Sequence, residues 1–323
     1  VSPEPAGERS KMQAELTRAF TLPPIETTYK AREVEGWIDI HFYRKLGLHL
    51  ANFCRRLGLT PTMVTLIGGV FGVIAGHLYY YRDLATNVLG MLLHVIANLF
   101  DNADGQLARL TNSGSRMGRV VDSIVDHVIF INIYVHLGLR CLHDHTFLFA
   151  LIVTCAAGFS HAVQAAAADY YRSAFLHFGT GRSRGDMDSS VQLQAEFQAR
   201  SWLHQPWRKL LLATYLNFTR QQEMLAPNLG RLHHATDDMF AGSVPTWFQK
   251  RYYERARPMF KWWSGLMTNT RMLVLFISLS FGRPLWFFYF ELTILNLLLV
   301  WLLFRQEKMS KSFLSLTIAR PAA

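Results

Sequence analysis

The chain has 323 residues, half of them apolar and only 17% charged, with a net charge of +10. A charged share below the roughly 25% of soluble domains excludes an ordinary water-soluble globule and points to a chain embedded in lipid. In that setting the positive balance reads as basic loops facing a cytoplasm and anionic headgroups, not as a nucleic-acid surface. The three cysteines, Cys54, Cys141 and Cys155, have neither paired nor metal-ligand spacing, so they define no disulfide framework and no zinc site.

Residues 1–35 are polar and contain no apolar segment, which reads as a cytoplasmic tail and not as a signal peptide. Residues 36–60 follow as a juxtamembrane helix. Within them Phe42, Leu46, Leu50, Phe53 and Leu57 recur on one helical face, with Arg44, Lys45, Arg55 and Arg56 elsewhere. Such a helix suits the surface of the inner leaflet. Pro61 marks entry into the first membrane span.

The expected fold class is an all-α integral membrane protein with six transmembrane helices, near 61–81, 85–107, 118–140, 146–168, 267–282 and 285–304. The first carries Gly68, Gly72 and Gly76 at four-residue spacing, which lets helices pack closely within one subunit. With the N-terminus inside, the outer turns hold only Arg82, Arg140 and Arg283, and the remaining basic residues lie on the inner side. Both termini and the stretch 101–126 are therefore expected at the cytoplasmic face. Spans one to four and their motif occupy 61–176, and spans five and six occupy 263–305. Between them, residues 177–262 mix Trp202, Trp207, Trp247, Trp262 and Trp263 with Arg208, Lys209, Lys250, Arg251, Arg255 and Lys261, a composition expected of segments resting at headgroup level. Residues 306–323 are expected as a cytoplasmic tail.

Charged groups near a bilayer core are expensive and mostly functional, and the stretch "DNADGQLARLTNSGSRMGRVVDSIVD" carries four aspartates. Asp101 and Asp104 are three apart and share a helix face; Asp122 and Asp126 are four apart and do the same on the next span. A short inner turn brings the two pairs together. Four carboxylates so close do not all stay ionised unaided, whereas a hard divalent cation resolves the repulsion, and oxygen-only ligands favour Mg²⁺ or Mn²⁺ over zinc. The competing reading is a set of helix-end carboxylates paired with Arg109, Arg116 and Arg119. Gly105, Ala108 and Gly118 lie within a turn or two of the acids and suit a cradle for a bulky ligand whose phosphates reach the metal.

Asp101-x2-Asp104-Gly105-x2-Ala108-Arg109-x8-Gly118-x3-Asp122-x3-Asp126 resembles the signature of the CDP-alcohol phosphotransferases at all eight defined positions, and the likeness extends over about 36–176 and 263–305. The resemblance implies a CDP-linked donor, attack by an alcohol hydroxyl on the phosphorus next to the donor's alcohol, and departure of CMP. It implies two metal ions held by Asp101, Asp104 and Asp122, with Asp126 facing them and acting as general base. Gly105, Ala108 and Gly118 would give the CDP room, Arg109 would support the site, Thr65 would contact the donor, and homodimers are expected. The sequence departs from the pattern at Thr62, where the family often has Asn, and in the long insertion 177–262.

Two transfers fit the motif. The favoured one moves a phosphatidyl group from CDP-diacylglycerol to a polar alcohol such as glycerol phosphate, inositol phosphate or serine. The alternative moves a headgroup from CDP-choline or CDP-ethanolamine to a lipid hydroxyl such as that of diacylglycerol. A membrane prenyltransferase would need a second Asp-rich motif, and a divalent-cation transporter would need polar groups through the depth of several spans.

Outside the motif, His94 lies two turns deeper on the face of Asp101 and is a candidate acceptor contact, against the alternative of a histidine bonded between packed spans. Asn98 carries the same ambiguity. Arg172 at the end of "DYYR" is a candidate for a phosphate or acceptor headgroup, or else an interfacial arginine. His143, Asp144 and His145 fall on the opposite side of the membrane. His233 and His234 have no ligand-spaced partner and are expected in solvent.

Overall fold

The computed structural model describes residues 34–181, 187, 189–240 and 244–319, and every regular element among them is helical. Most of the expected polar tail lies outside these residues. A π-helical turn, Asp39–Tyr43, leads into α1, Arg44–Arg56. Phe42, Leu46, Phe53 and Leu57 are exposed, as a face meant for lipid requires, while Gly47, Leu48, Ala51 and Cys54 are buried on the other side. Arg44 is itself buried; its Nε and Nη2 donate to the Glu35 carboxylate at 2.6 and 2.7 Å.

The spans begin with α2, Pro61–Leu78, α3, Leu84–Leu110, and α4, Arg116–Cys141. Each has a side-chain cap written into the sequence. Thr60 accepts from Met63 N, Asp83 from Thr86 N at 2.8 Å, and Ser115 from Gly118 N at 2.9 Å, satisfying amides that a helix start leaves unpaired. The glycines of α2 pack inside the subunit. A Cβ on Gly68 would stand 2.8 Å from Phe100 Cβ of α3, and the Gly72 and Gly76 positions abut Ile129 and Asn132 of α4.

Helix α5, Phe147–Thr180, has 34 residues and ends in the left-handed Gly181. At 1.5 Å per residue it is about 51 Å long, well beyond a hydrocarbon core of about 30 Å, so its end stands clear of the lipid. The insertion uses that projection. It forms α6, Ser190–Ala199, α7, Pro206–Leu225, α8, Pro227–Phe240, and α9, Thr246–Trp263. The core of α8 and α9 joins Phe175 and Phe178 of α5 to Leu229, Phe248, Tyr252 and Trp263, while Leu193 of α6 packs with Leu212 and Leu216 of α7. Trp263 is fully buried and stacks on Tyr171 at 4.9 Å, whereas Trp202 and Trp207 are exposed at 51% and 76%. The composition that suggested a surface-lying segment is thus shared between an inward aromatic core and an outward Trp face.

The last elements are α10, Thr268–Ser280, α11, Leu285–Phe290, a π-helical turn at Glu291–Leu295, and α12, Asn296–Ala319. Residues 285–318 run as one long apolar helix, so the expected tail after 305 continues as helix, with Met309 and Phe313 buried. Among the described residues five helices are long and apolar enough to cross a membrane, and the protein is an integral membrane protein. The expected fifth span is the exception: α10 has 13 residues, about 20 Å, short of a full crossing. It is held by a polar network within the bundle. Arg271 Nε donates to Glu291 at 2.9 Å and its Nη2 to Gln164 Oε1 at 2.6 Å, and Gln164 Nε2 donates to Asn296 Oδ1 at 2.8 Å. Arg271 and Glu291 are buried, where such groups persist only when bonded.

Candidate active site

The α3–α4 hairpin closes through residues 111–115, where Asn112 takes a left-handed conformation (φ 50°) that turns the chain sharply. The turn sets the aspartate end of α3 beside the start of α4. Carboxylate oxygens of Asp101, Asp122 and Asp126 come within 4.8 Å of one another. Asp101 and Asp122 are half-buried and Asp126 is exposed. Oδ1 of Asp122 is buried and has no hydrogen-bond partner among the described residues. Burying a carboxylate oxygen without a partner is costly, and three clustered acids raise that cost further. An all-oxygen donor set of this kind fits a hard divalent cation such as Mg²⁺ or Mn²⁺.

Asp104 stands outside that triangle. It is 7% exposed and accepts a hydrogen bond from the hydroxyl of Thr65, which also lies 3.0 Å from its own Pro61 carbonyl oxygen. The expected donor contact from Thr65 is therefore joined to the aspartate set through Asp104. Thr65, Gly68 and Gly69 of α2 face Asp101, Asp122 and Asp126 across one cleft. A Cβ at Gly118 would meet only Ser115 Oγ, at 3.2 Å, and one at Gly105 only the Arg109 guanidinium, from 3.4 Å. With the half-buried Ala108, these positions leave open backbone beside the acids.

Arg119 is exposed, and Nε and Nη2 of Arg109 are buried without a hydrogen-bond partner among the described residues. The Arg116 side chain lies outside what is described. Arg44, Glu35, Asp104 and Arg172 are near enough to Arg109 to interact electrostatically, and Nε of Arg172 is likewise buried without a hydrogen-bond partner among the described residues. The inner end of the hairpin thus combines an unmet need for a cation with an unmet need for an anion.

His94 is placed elsewhere. Its Nδ1 is 3.1 Å from the Tyr79 hydroxyl and its ring meets Phe276 edge-on, the packed arrangement weighed against a substrate contact. Asn98 donates to Asn269 Oδ1 at 3.4 Å, and Asn269 donates to Asp39 at 2.8 Å, tying α3 and α10 to the juxtamembrane turn. His233 departs from expectation: it is buried at 7% exposure against His177, whose contact across the fold has no local signal in the sequence. The i,i+4 partner Asp237 was the available clue.

Residues 58–177 match the family model described as CDP-alcohol phosphatidyltransferase. A phosphatidylinositol phosphate synthase of Mycobacteroides abscessus is 31% identical over 102 residues, covering 29% of this chain and 42% of the relative. An archaetidylinositol phosphate synthase of Pyrococcus horikoshii is 32% identical over 84 residues, 26% of this chain and 41% of that protein. A putative cardiolipin synthase of Mycobacterium tuberculosis is 28% identical over 97 residues, 30% of this chain and 46% of that protein. The chain therefore spans less than half the length of the curated relatives it matches.

Proposed function

We propose that the protein transfers a substituted phosphate group from a CDP-alcohol, favouring CDP-diacylglycerol, to the hydroxyl of an acceptor alcohol, with release of CMP in phospholipid synthesis. The observation that carries this reading is the pairing of unmet charges at one hairpin end: Oδ1 of Asp122 calls for a cation, and Nε and Nη2 of Arg109 call for an anion. A metal–diphosphate ligand supplies both. The family match and the synthase names of the relatives support the same chemistry.

In this reading Asp101, Asp104, Asp122 and Asp126 hold Mg²⁺ or Mn²⁺, as two ions by family likeness, which when bound offsets charge on the diphosphate and steadies the departing CMP. Asp126, the most exposed of the clustered acids, takes the proton from the acceptor hydroxyl. As that oxygen bonds to the phosphorus next to the donor's alcohol, the bond from the same phosphorus to the CMP oxygen breaks and CMP leaves. Thr65 holds Asp104 in place, and Gly105, Ala108 and Gly118 admit the cytidine diphosphate to the backbone. Arg109 meets the donor's phosphates and Arg172 receives an anionic group on the acceptor, in line with the phosphatidylinositol phosphate synthase and archaetidylinositol phosphate synthase names among the relatives. His94 packs between spans. The active face and both termini are cytoplasmic, the membrane is the inner one, and the working form is a homodimer.

The test is a mass-spectrometric screen of purified full-length protein with Mg²⁺ against paired donors and acceptors. CMP release with CDP-diacylglycerol and a phosphate-bearing polyol is expected. Turnover of CDP-choline or CDP-ethanolamine with diacylglycerol instead would transfer the assignment to headgroup transfer, and release from no CDP-alcohol would end the reading.

A further inference from the structure

We infer that His177, His233 and Asp237 form a second divalent-metal site, of the zinc class, which clamps α8 to the projecting end of α5. One ligand atom from each of the three lies within 4.8 Å of the other two. His177 comes from α5, and His233 and Asp237 stand one turn apart on the same face of α8. Both imidazoles are buried at 7% exposure, with their rings perpendicular (89°) and centroids 5.4 Å apart.

Nε2 of His233 is 3.6 Å from Asp237 Oδ2, too far for a hydrogen bond, so Asp237 is not spent on orienting the ring. Two imidazoles and one carboxylate are a donor set for Zn²⁺ and its first-row neighbours, unlike the all-oxygen aspartate cluster. One ion with ligand distances of about 2.0–2.2 Å requires the three atoms to draw in modestly. Phe178 packs edge-on against His177 at 4.7 Å and forms an apolar wall, while the Asp237 side chain is 38% exposed and leaves an open side for water as a further ligand. The opposite end of α8 is already fixed: Glu307 of α12 accepts from Asn228 N at 2.7 Å and Leu229 N at 3.3 Å. A metal at the His end would complete a helix tethered to both projecting stalks.

The experiment uses full-length protein stripped with chelator, then held in excess Mg²⁺ to fill the aspartate cluster and titrated with Zn²⁺ or Co²⁺. Uptake of about one equivalent of Zn²⁺ is expected, with Co²⁺ giving the visible absorption of a low-coordinate nitrogen–oxygen site and a raised unfolding temperature. His233→Gln and Asp237→Asn should each weaken uptake at least about tenfold, and Asp122→Asn should leave it unchanged. Asp237 is partly exposed, so Asp237→Asn decides the matter if His233→Gln does not fold. No Zn²⁺ uptake, equal uptake by Asp237→Asn, or uptake lost only in Asp122→Asn would overturn the assignment. None of these outcomes depends on CMP release.

Discussion

Thr65 on the first span donates its hydroxyl to the carboxylate of Asp104 on the second, 39 residues further along the chain. This contact draws α2 into a site that otherwise belongs to the α3–α4 hairpin. A hydrogen bond to a charged group contributes about 1.5–3 kcal/mol, and a buried acceptor left unmatched loses at least as much. Thr65→Val keeps the shape and removes the donor. Unfolding at lower temperature and a higher Mg²⁺ requirement for CMP release are expected, with Thr65→Ser near the parent. Equal metal dependence in Thr65→Val would show that the contact does not position Asp104.

The clustered carboxylates give a sharper expectation. Asp122→Ala and Asp126→Asn should each lower CMP release by about 100-fold or more, the scale of a lost general base or charge-stabilising group. Chelation should abolish release, and Mg²⁺ or Mn²⁺ should restore it. Removing mutual repulsion among clustered acids relieves strain, so Asp126→Asn should unfold no earlier than the parent in metal-free buffer. Full CMP release by Asp122→Ala would remove that residue from the metal site.

Arg172 tests the acceptor. If its guanidinium, whose Nε is buried, meets a phosphate, Arg172→Gln should raise the acceptor KM by roughly 10–100-fold, equivalent to about 1.4–2.8 kcal/mol, with a smaller change in kcat. The donor KM should stay near the parent value. A uniform fall in kcat for neutral and phosphorylated acceptors alike would count against phosphate recognition.

Gly68 tests the fold around the cleft. A Cβ there would stand 2.8 Å from Phe100 Cβ, an atom fixed to the backbone of α3, and 3.4 Å from the Ala97 carbonyl oxygen. Gly68→Ala must push α2 from α3, at a cost of about 1–3 kcal/mol for overpacking. A lower unfolding temperature and reduced CMP release together are the expected result. Gly58→Ala, whose added Cβ meets nothing within 4 Å, controls for the loss of a glycine as such, with only the strain of its φ of 69° to bear.

The amino-acid sequence by itself determined whatever depends on local period and composition. Apolar length set the long spans, i,i+3 and i,i+4 spacing put Asp101 with Asp104 and Asp122 with Asp126, and Thr60, Asp83 and Ser115 announced the helix starts. Only tertiary structure decided the partners that lie far apart in the chain. It bonded Asp104 to Thr65, outside the triangle of the other three acids, joined Arg271 to Glu291 and Gln164, and buried His233 against His177. It also packed α8 and α9 against the end of α5 and the last helix, contacts that composition alone could not assign. The physical reason is that helical periodicity fixes which residues share a face within one or two turns, whereas the face that meets it depends on packing the whole bundle at once.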